Sequence, residues 1–365
     1  MMDAIRSFLN ERRGELWPGR PPLEGAIVAG ADRDPGAKVT FIYFDGDGDP
    51  TAVAKVARRA SGEAALMAED TVLRELWALG SRTVTESVPR PLALDRIGDR
   101  LVLVVSFLAG QPMRTRYYAP GHVSDPRAVA DDFAVAASWL RRFHHETGRG
   151  AVALDDEAFD RWVGSVFERY RRTIGWSEPE ESLFEALRRE AGDLRGCPIP
   201  LSAVHGDYAI GNLLLEGRRL TGVIDWELGG VAEPPFRDVY KFPTSYGLYL
   251  DRAQPPRRGR NPGHAGRQEM GERWSRSGAW ANAAGFAHAY FGRGWFPDQV
   301  RRFVLGHLDD LGIPRAANAL FFPVFLAEQA MALDDPTFRA GYRSLLLATA
   351  EEAPRSWLWQ SEVPA

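Results

Sequence analysis

The chain has 365 residues, of which 45% are hydrophobic, and a formal net charge of −4 at pH 7. These values allow a substantial core in one large domain or two moderate ones, and the negative charge argues against a nucleic-acid partner, which usually meets a basic domain or stripe. No apolar run approaches the roughly 18 residues of a membrane span, and the N-terminus lacks the apolar stretch of a signal peptide. The single cysteine, Cys197, excludes an internal disulfide. We therefore expect a cytoplasmic protein without a membrane partner.

The N-terminal third alternates between β-like and helical patterns. An amphipathic helix with a Pro-rich turn is predicted over residues 1–22, and a second helix over 63–79, where leucines recur at three- and four-residue spacings. The Asp- and Gly-rich run at 45–50 predicts a turn between two strands. Five apolar runs predict the strands of a small β-rich lobe, at 24–29, 39–44, 52–57, 89–94 and 101–105.

The pattern becomes mainly helical after residue 108. Gly110 and Pro112 mark the predicted boundary, because both residues interrupt regular structure. Amphipathic helices are predicted over 129–145, 158–172 and 180–194, and more helix from about 280 to the end.

The most informative segment, residues 204–227, interrupts this helical region. Two strands are predicted at 213–215 and 220–224, joined by a turn over 216–219. Such a hairpin would bring Asn212 and Asp225 together, with Asp207 in the loop before them. Two oxygen ligands and a separate carboxylate suit Mg²⁺, which binds through one or two protein groups and substrate phosphates, and phosphoryl transfer needs this layout. Each residue taken alone favours the alternative, a surface hairpin with solvated acids.

The order of these motifs is more specific than any one of them. His-Gly-Asp at 205–207, Asn212 and Ile-Asp-Trp-Glu at 224–227 resemble the catalytic core of the aminoglycoside phosphotransferase and choline kinase superfamily. The resemblance spans motifs from roughly residue 25 to 250. It implies an α+β, two-lobed protein-kinase-like fold with a small β-rich N-lobe and a larger, mainly helical C-lobe. Residues 1–108 would then form the nucleotide-binding lobe and residues 109–365 the catalytic and acceptor-binding lobe.

The resemblance also gives a meaning to Lys55, one of only three lysines in the chain. A lysine in an apolar strand needs a partner for its charge, unless the strand lies at a sheet edge where the ammonium can reach water. Kinase-like folds place a lysine on the third strand, where it reaches the nucleotide phosphates and pairs with a helix glutamate. Glu69, followed by leucine at four and seven residues, fits the superfamily pattern better than Glu75, so we predict the pair Lys55–Glu69.

Further roles follow from the same resemblance. Main-chain groups of Ser106, Phe107 and Leu108 resemble the hinge that holds the purine of ATP or GTP. The loop at 30–36 takes the place of the phosphate-covering loop, although it is not the Gly-x-Gly-x-x-Gly of protein kinases. Asp238 matches an acid that supports the fold in relatives, and Glu227 stays open between a substrate contact and a scaffold residue.

The catalytic assignment centres on Asp207. By resemblance, Asp207 orients or deprotonates the acceptor hydroxyl, Asn212 and Asp225 hold Mg²⁺, and His205 braces the catalytic loop. The predicted protein is a small-molecule kinase that transfers the γ-phosphoryl group of a nucleoside triphosphate to a hydroxyl of a metabolite, sugar or antibiotic. The alternative is a catalytically weak, kinase-like nucleotide-binding protein, and the intact set of Lys55 and Asp207 with both metal ligands argues against it.

The acceptor itself is constrained only weakly. Residues 251–278 predict a long loop with seven arginines against three acids. If this loop lines the acceptor pocket, its charge mildly disfavours a polycationic aminoglycoside and favours a neutral or anionic hydroxylated compound. A solvated loop without a ligand is the simpler alternative, and nucleic-acid binding through its arginines is disfavoured by the net charge.

Overall fold

The five N-terminal strands form one antiparallel sheet, as the sequence predicts. The computed structural model describes residues 1–31, 38–251, 284–332 and 335–352. The strand order is β1-β2-β3-β5-β4, so β3 lies at the centre of the sheet. An edge position for the strand that carries Lys55 is therefore wrong. The strands are β1 (Leu23–Ala31), β2 (Lys38–Asp45), β3 (Pro50–Ala57), β4 (Pro91–Ile97) and β5 (Arg100–Ser106).

The two faces of this sheet carry different partners because successive side chains alternate. One face packs on helix α1 (Met2–Glu11), where Ile5 joins Tyr43 and Ala54 in one buried cluster. The Tyr43 hydroxyl also donates to the Met2 carbonyl at 3.0 Å. Lys55 follows Ala54 and so points to the opposite face, toward helix α3 (Ala60–Ala78). Strand alternation thus places Lys55 on the face opposite α1.

Two short helices follow the longer helices of this region. Helix α2 (Arg13–Leu16) follows α1 within the range predicted as helix and turn, and helix α4 (Arg82–Ser87), which follows α3, lies outside the predicted elements. The Ser81 side chain caps α4 by accepting from the Val84 N–H at 3.1 Å, a common way to satisfy a first-turn donor. Six residues are too few to show helical periodicity, which is why the sequence pattern misses this helix.

The hairpin at the informative segment is confirmed. Strands β10 (Leu213–Glu216) and β11 (Arg219–Val223) pair antiparallel, with Leu213 opposite Val223 and a register shift between Leu214 and Leu215. The second strand ends at Val223, one residue before the predicted end. Asp225 therefore lies beyond the strand, in irregular backbone.

The rest of the described chain is mainly helical, as predicted. Short strands β7 (Ala151–Ala153) and β8 (Pro198–Pro200) pair with each other. The remaining strands are β6 (Gln111–Pro112), β9 (Ser202–Val204) and β12 (Gly230–Glu233). The helices are α5 (Met113–Tyr117), α6 (Pro126–Glu146), α7 (Asp156–Phe159), α8 (Ser165–Thr173), α9 (Glu178–Asp193), α10 (Phe236–Asp251), α11 (Ala284–Phe291), α12 (Trp295–Asp310), α13 (Ala317–Ala332) and α14 (Pro336–Glu352).

One predicted helix, over 158–172, is interrupted. A π-helical turn (Asp160–Gly164) separates α7 from α8, so the helix is not continuous as the periodicity predicts. A π turn inserts one extra residue, and this shifts the face that the following residues present.

The chain divides into two compact units. The first comprises Met1–Gln111, His205–Asp207 and Asn212–Val231, and the second comprises Pro112–Val204, Tyr208–Gly211 and Ala232–Ala365. The hairpin thus belongs to the same unit as the five-stranded sheet. Within the described ranges, no helix is long and apolar enough to span a membrane.

Candidate active site

Lys55 makes two ion pairs in the first unit. Its Nζ lies 2.5 Å from Glu69 Oε1 and 3.1 Å from Asp225 Oδ1. Lys55 and Glu69 are both buried, whereas Glu75 is exposed. The structure therefore brings together Lys55 of strand β3, Glu69 of helix α3 and Asp225 at the end of the hairpin. Glu75, the glutamate that fits the superfamily pattern less well, is exposed.

Asp225 adopts an unusual backbone conformation. Its φ of 73° makes it the one non-glycine residue with positive φ in the described part of the chain. Aspartate tolerates this left-handed region better than most residues, although such a position costs on the order of 1–3 kcal/mol. The next residue, Trp226, is fully buried and its indole N–H donates to the Val223 carbonyl at 2.8 Å. This anchor fixes the turn that directs the Asp225 carboxylate to Lys55.

A second lysine, Lys38, joins the same cluster. Its Nζ lies 3.1 Å from Asp225 Oδ1 and contacts Glu227 Oε2 as well. Sequence reasoning did not assign Lys38 a role, and its only signal was the scarcity of lysine in an arginine-rich chain. We call the set Lys38, Lys55, Glu69, Asp225 and Glu227 the lysine–carboxylate cluster.

The cluster stabilises its own charges. Burial alone raises the pKa of Asp225, but the adjacent ammonium groups of Lys55 and Lys38 outweigh this effect and hold the pKa well below its ordinary value. Burial alone lowers the pKa of Lys55, but the carboxylates of Glu69 and Asp225 prevail and raise it. Three carboxylates face two ammonium groups, so the cluster has an excess of negative charge. Glu69 Oε2 is buried without a hydrogen-bond partner among the described residues.

The His-Gly-Asp motif forms a braced loop. The Asp207 N–H donates to His205 Nδ1 at 3.1 Å, and His205 Nε2 lies 2.9 Å from the Ile224 carbonyl. Because Nδ1 accepts, the ring is assigned as the neutral tautomer that carries its proton on Nε2. Gly206 has a φ of 80°, and a Cβ there would lie 2.1 Å from the Leu228 carbonyl oxygen. Any larger residue would displace the loop.

Asn212 links this loop to the hairpin. Its Nδ2 donates to Asp207 Oδ2 at 2.9 Å and to the Asp207 carbonyl at 2.9 Å. The main-chain carbonyl of Asn212 accepts a hydrogen bond from the N–H of Ile224, the residue before Asp225, at 2.9 Å. The amide therefore fixes the Asp207 carboxylate, and its Oδ1 makes no hydrogen bond to the residues described.

The predicted hinge segment is partly engaged by the protein. The Ser106 N–H donates to the Arg90 carbonyl at 2.9 Å, and the Phe107 N–H donates to the Thr51 carbonyl at 3.2 Å. The Leu108 N–H has no hydrogen bond to any described residue. Of the main-chain N–H groups in the predicted hinge segment, those of Ser106 and Phe107 are therefore engaged within the protein, which leaves the Leu108 N–H for a ligand.

Some predicted features fall elsewhere or cannot be described. Asp238 lies in the second unit, fully buried, with its Oδ2 at 3.7 Å from His144 Nε2, a setting that suits structural support. Residues 32–37 of the predicted phosphate-covering loop lie outside the described residues, and so do residues 252–278 of the arginine-rich loop.

Comparison with known proteins defines the class of this chain. A model of the phosphotransferase enzyme family matches residues 35–273, and this match covers more than half of the chain. The chain therefore belongs to the phosphotransferase enzyme family. No curated protein sequence matches the chain at a significant level.

Solved structures agree on the fold. A Ralstonia eutropha JMP134 protein named as a candidate aminoglycoside phosphotransferase has a TM-score of 0.55 at 16% identity, covering 98% of this chain and 99% of its own. A thermostable mutant of the aminoglycoside phosphotransferase APH(4)-Ia, in ternary complex with ADP and hygromycin B, has a TM-score of 0.53 at 14% identity, covering 99% and 100%. These likenesses confirm the kinase-like aminoglycoside phosphotransferase fold that the motifs predict.

Proposed function

We propose that this phosphotransferase is a small-molecule kinase, which moves the γ-phosphoryl group of ATP or GTP to a hydroxyl of a metabolite, sugar or antibiotic. The observation that carries the proposal is the pair Lys55–Glu69 joined to Asp225. Phosphoryl transfer depends on positioning and on neutralising the phosphate charge, and a buried lysine held between two carboxylates is suited to that task.

The donor set fits Mg²⁺. Asn212 Oδ1 and the Asp225 carboxylate would hold the ion, and both are hard oxygen ligands. Among the described residues there is no group of three or more His, Cys, Asp or Glu side chains arranged to hold a metal. An all-protein cage is not required, because Mg²⁺ in such sites is completed by waters and substrate phosphates. When bound, the ion would neutralise charge on the phosphate oxygens.

The chain's own residues have distinct tasks in the proposed reaction. Asp207, fixed by Asn212, accepts the proton of the acceptor hydroxyl as the hydroxyl oxygen bonds to the γ-phosphorus. The bond from that phosphorus to the bridging oxygen breaks, and the nucleoside diphosphate leaves. Lys55 neutralises the phosphate oxygens, and the Leu108 N–H donates to the purine. Lys38 holds Asp225 and Glu227 in place until the nucleotide arrives, and then contacts its phosphates.

The experiment measures phosphate transfer from ATP and GTP to a panel of hydroxylated acceptors, together with nucleotide binding. Asp207→Ala should lower kcat by about 10²- to 10⁴-fold, the range for loss of a general base, and leave nucleotide affinity nearly unchanged. Glu216→Ala is the matched control, since Glu216 lies exposed on the hairpin and its carboxylate pairs with Arg219 at the surface.

Two results would contradict the proposal. An Asp207→Ala variant with full activity would remove Asp207 from its role. Wild-type protein that binds nucleotide but transfers phosphate to no member of the panel would favour the alternative, a kinase-like nucleotide-binding protein.

A further inference from the structure

A cavity in the second unit is bordered by helices α6 (Pro126–Glu146) and α12 (Trp295–Asp310). Its volume is about 490 Å³, within the range of small-molecule sites. All the lining residues in the described part of the chain belong to these two helices. None of them has a task in the proposed phosphoryl transfer. We call this cavity the interhelical groove.

The helical period explains why the groove is open. Ala134, Ala137 and Ser138 line it on α6, where residues three and four apart share one face, and their short side chains leave space beside α12. Phe133 and Phe303 also line the groove, but they are only 1% and 3% exposed and their rings pack edge to face with centroids 5.6 Å apart. The accessible wall is therefore polar rather than aromatic.

The charge of this wall is positive. Arg141, Arg142 and Arg302 line the groove, and no acidic side chain of the described residues does. None of the three arginines forms an ion pair within the described ranges, and Arg302 donates only to the amide oxygen of Gln299, at 2.8 Å. Three cations without a carboxylate repel one another, so an anion in the groove would stabilise all three.

The neighbouring acids on the two helices do not neutralise this charge. Asp298 precedes Gln299 on α12 but does not line the groove. Asp310 lies at the end of α12 and pairs with His145 of α6 at 2.8 Å. The positive wall is therefore left for a partner from outside the two helices.

Arg141 provides a second, independent observation. Its Nε is buried and has no hydrogen-bond partner among the residues described. A Cβ at Gly306 of α12 would lie 2.9 Å from Arg141 Nη2, so the absence of a side chain at Gly306 makes room for the guanidinium. A charged group with an unsatisfied buried donor is costly, and a bound ion is one of the explanations for such a group.

The number of arginines favours a phosphate group over a carboxylate. A guanidinium is a rigid fork that matches either anion. A phosphate ester carries roughly −1.5 to −2 charges at pH 7 and three strong acceptor oxygens, one for each arginine of the groove. A carboxylate offers a single charge and two oxygens, which leaves part of the positive wall without a partner.

We propose that the interhelical groove binds a phosphate ester of a small molecule through Arg141, Arg142 and Arg302. This site shares no residue with the lysine–carboxylate cluster. The proposal does not rest on the proposed function, because no residue of the groove takes part in the proposed transfer.

The test uses three sugars that differ in the group at the last carbon. Glucose 6-phosphate, glucuronate and glucose are a dianion, a monoanion and a neutral compound. Calorimetry on the full chain without nucleotide should give the tightest binding for the phosphate ester and the weakest for glucose. We expect about fivefold between neighbours, the size of one screened charge interaction, and a smaller preference at high salt.

A double variant and its matched control locate the binding. Arg142→Gln combined with Arg302→Gln should abolish the preference for the phosphate ester, since two of the three guanidinium groups are lost. Arg127→Gln combined with Arg301→Gln removes the same charge from the same two helices, but neither residue lines the groove. This control should keep the preference of the wild type.

Gly306→Ala tests the position of Arg141 without changing any charge. The added methyl group displaces the Arg141 guanidinium, so binding of glucose 6-phosphate should weaken about fivefold, as for loss of one charge contact. Alanine is the better helix former, so α12 is retained. Unchanged affinity in this variant would contradict a role of Arg141.

Four further results would overturn the proposal. They are equal affinity for glucuronate and glucose 6-phosphate, a phosphate preference that survives the double variant, an equal loss in the matched control, and no detectable binding of either anion. Glucose 6-phosphate binding that is lost in Lys55→Met but kept in the double variant would place the phosphate at the lysine–carboxylate cluster and also overturn the proposal. Each result leaves the proposed kinase function to be decided by the transfer assay.

Discussion

Two buried glutamates, one in each unit, are satisfied in different ways. Glu180 on α9 is fully buried, and both of its oxygens are bonded. Arg343 donates to Oε1 at 2.6 Å and to Oε2 at 3.1 Å, and the Ser177 hydroxyl also donates to Oε2. Glu69 on α3 is equally buried, yet only its Oε1 has partners, and Oε2 has none among the described residues.

Glu180 thus makes a complete set of hydrogen bonds, whereas Glu69 belongs to the cluster for which we propose nucleotide binding. Glu180 ties α9 to α14 within the helical unit, and its hydrogen bonds are complete. The lysine–carboxylate cluster around Glu69 instead keeps an excess of carboxylates and an unsatisfied oxygen. A buried polar group without a partner is costly, and its explanations in native structures include strain, a catalytic role and a bound water or ion. Substitution of Glu69 is therefore expected to affect activity, and substitution of Glu180 is expected to affect stability.

The largest expected effect concerns activity. Glu69→Gln removes the charge that holds Lys55, so we expect kcat/KM for nucleotide to fall about 100-fold, since misplacing a catalytic group by about 1 Å costs this much. The free energy of unfolding should change little, because the cluster retains two carboxylates for its two lysines. Steady-state kinetics and chemical denaturation measure both quantities, and a destabilised but fully active variant would reverse the comparison.

Glu180→Gln should show the opposite result. We expect the free energy of unfolding to fall by about 2 kcal/mol, the size of charge-assisted hydrogen bonds to a buried carboxylate, with kcat/KM unchanged. Glu181→Gln is the adjacent control and should stay within about 0.5 kcal/mol of wild type, because Glu181 is exposed. Loss of activity in Glu180→Gln at full stability would argue against a purely structural pair.

Lys38→Ala sharpens the comparison within the cluster. Lys38 bridges Asp225 and Glu227, so its removal takes away a cation next to the proposed phosphate site. We expect nucleotide affinity measured by calorimetry without metal to fall about fivefold, the size of one partly screened charge interaction. Lys38→Arg keeps the charge and should retain most of the affinity, and an unchanged affinity in Lys38→Ala would limit Lys38 to a scaffold role.

The smallest expected effect is a pH dependence of stability. Burial alone raises the pKa of Glu180, but the bonds from Arg343 and Ser177 outweigh it and hold the pKa below the ordinary value of 4.5. A carboxylate with a lowered folded pKa contributes stability above its unfolded pKa and loses it as the pH falls through the folded pKa. The stability gap between wild type and Glu180→Gln should thus be full at pH 7 and shrink below about pH 4.5. A gap that stayed constant down to pH 3 would show that the charge of Glu180 does not contribute.

The local features of the site can be read from the sequence. The His-Gly-Asp motif, Asn212 and the hairpin before Asp225 lie within 24 residues, and their spacing fixes which of them meet. Strand alternation, a backbone period of two residues, likewise turns Lys55 away from Ala54. The choice of Glu69 over Glu75 came instead from the resemblance, because leucines follow Glu69 at four and seven residues.

Other features depend on contacts between distant parts of the chain and become visible only in the folded protein. The central position of β3 follows from pairing with β5, about 50 residues later, and the role of Lys38 follows from contacts with Asp225 and Glu227 at separations of 187 and 189 residues. No local pattern encodes such contacts, because their formation depends on how the whole core packs.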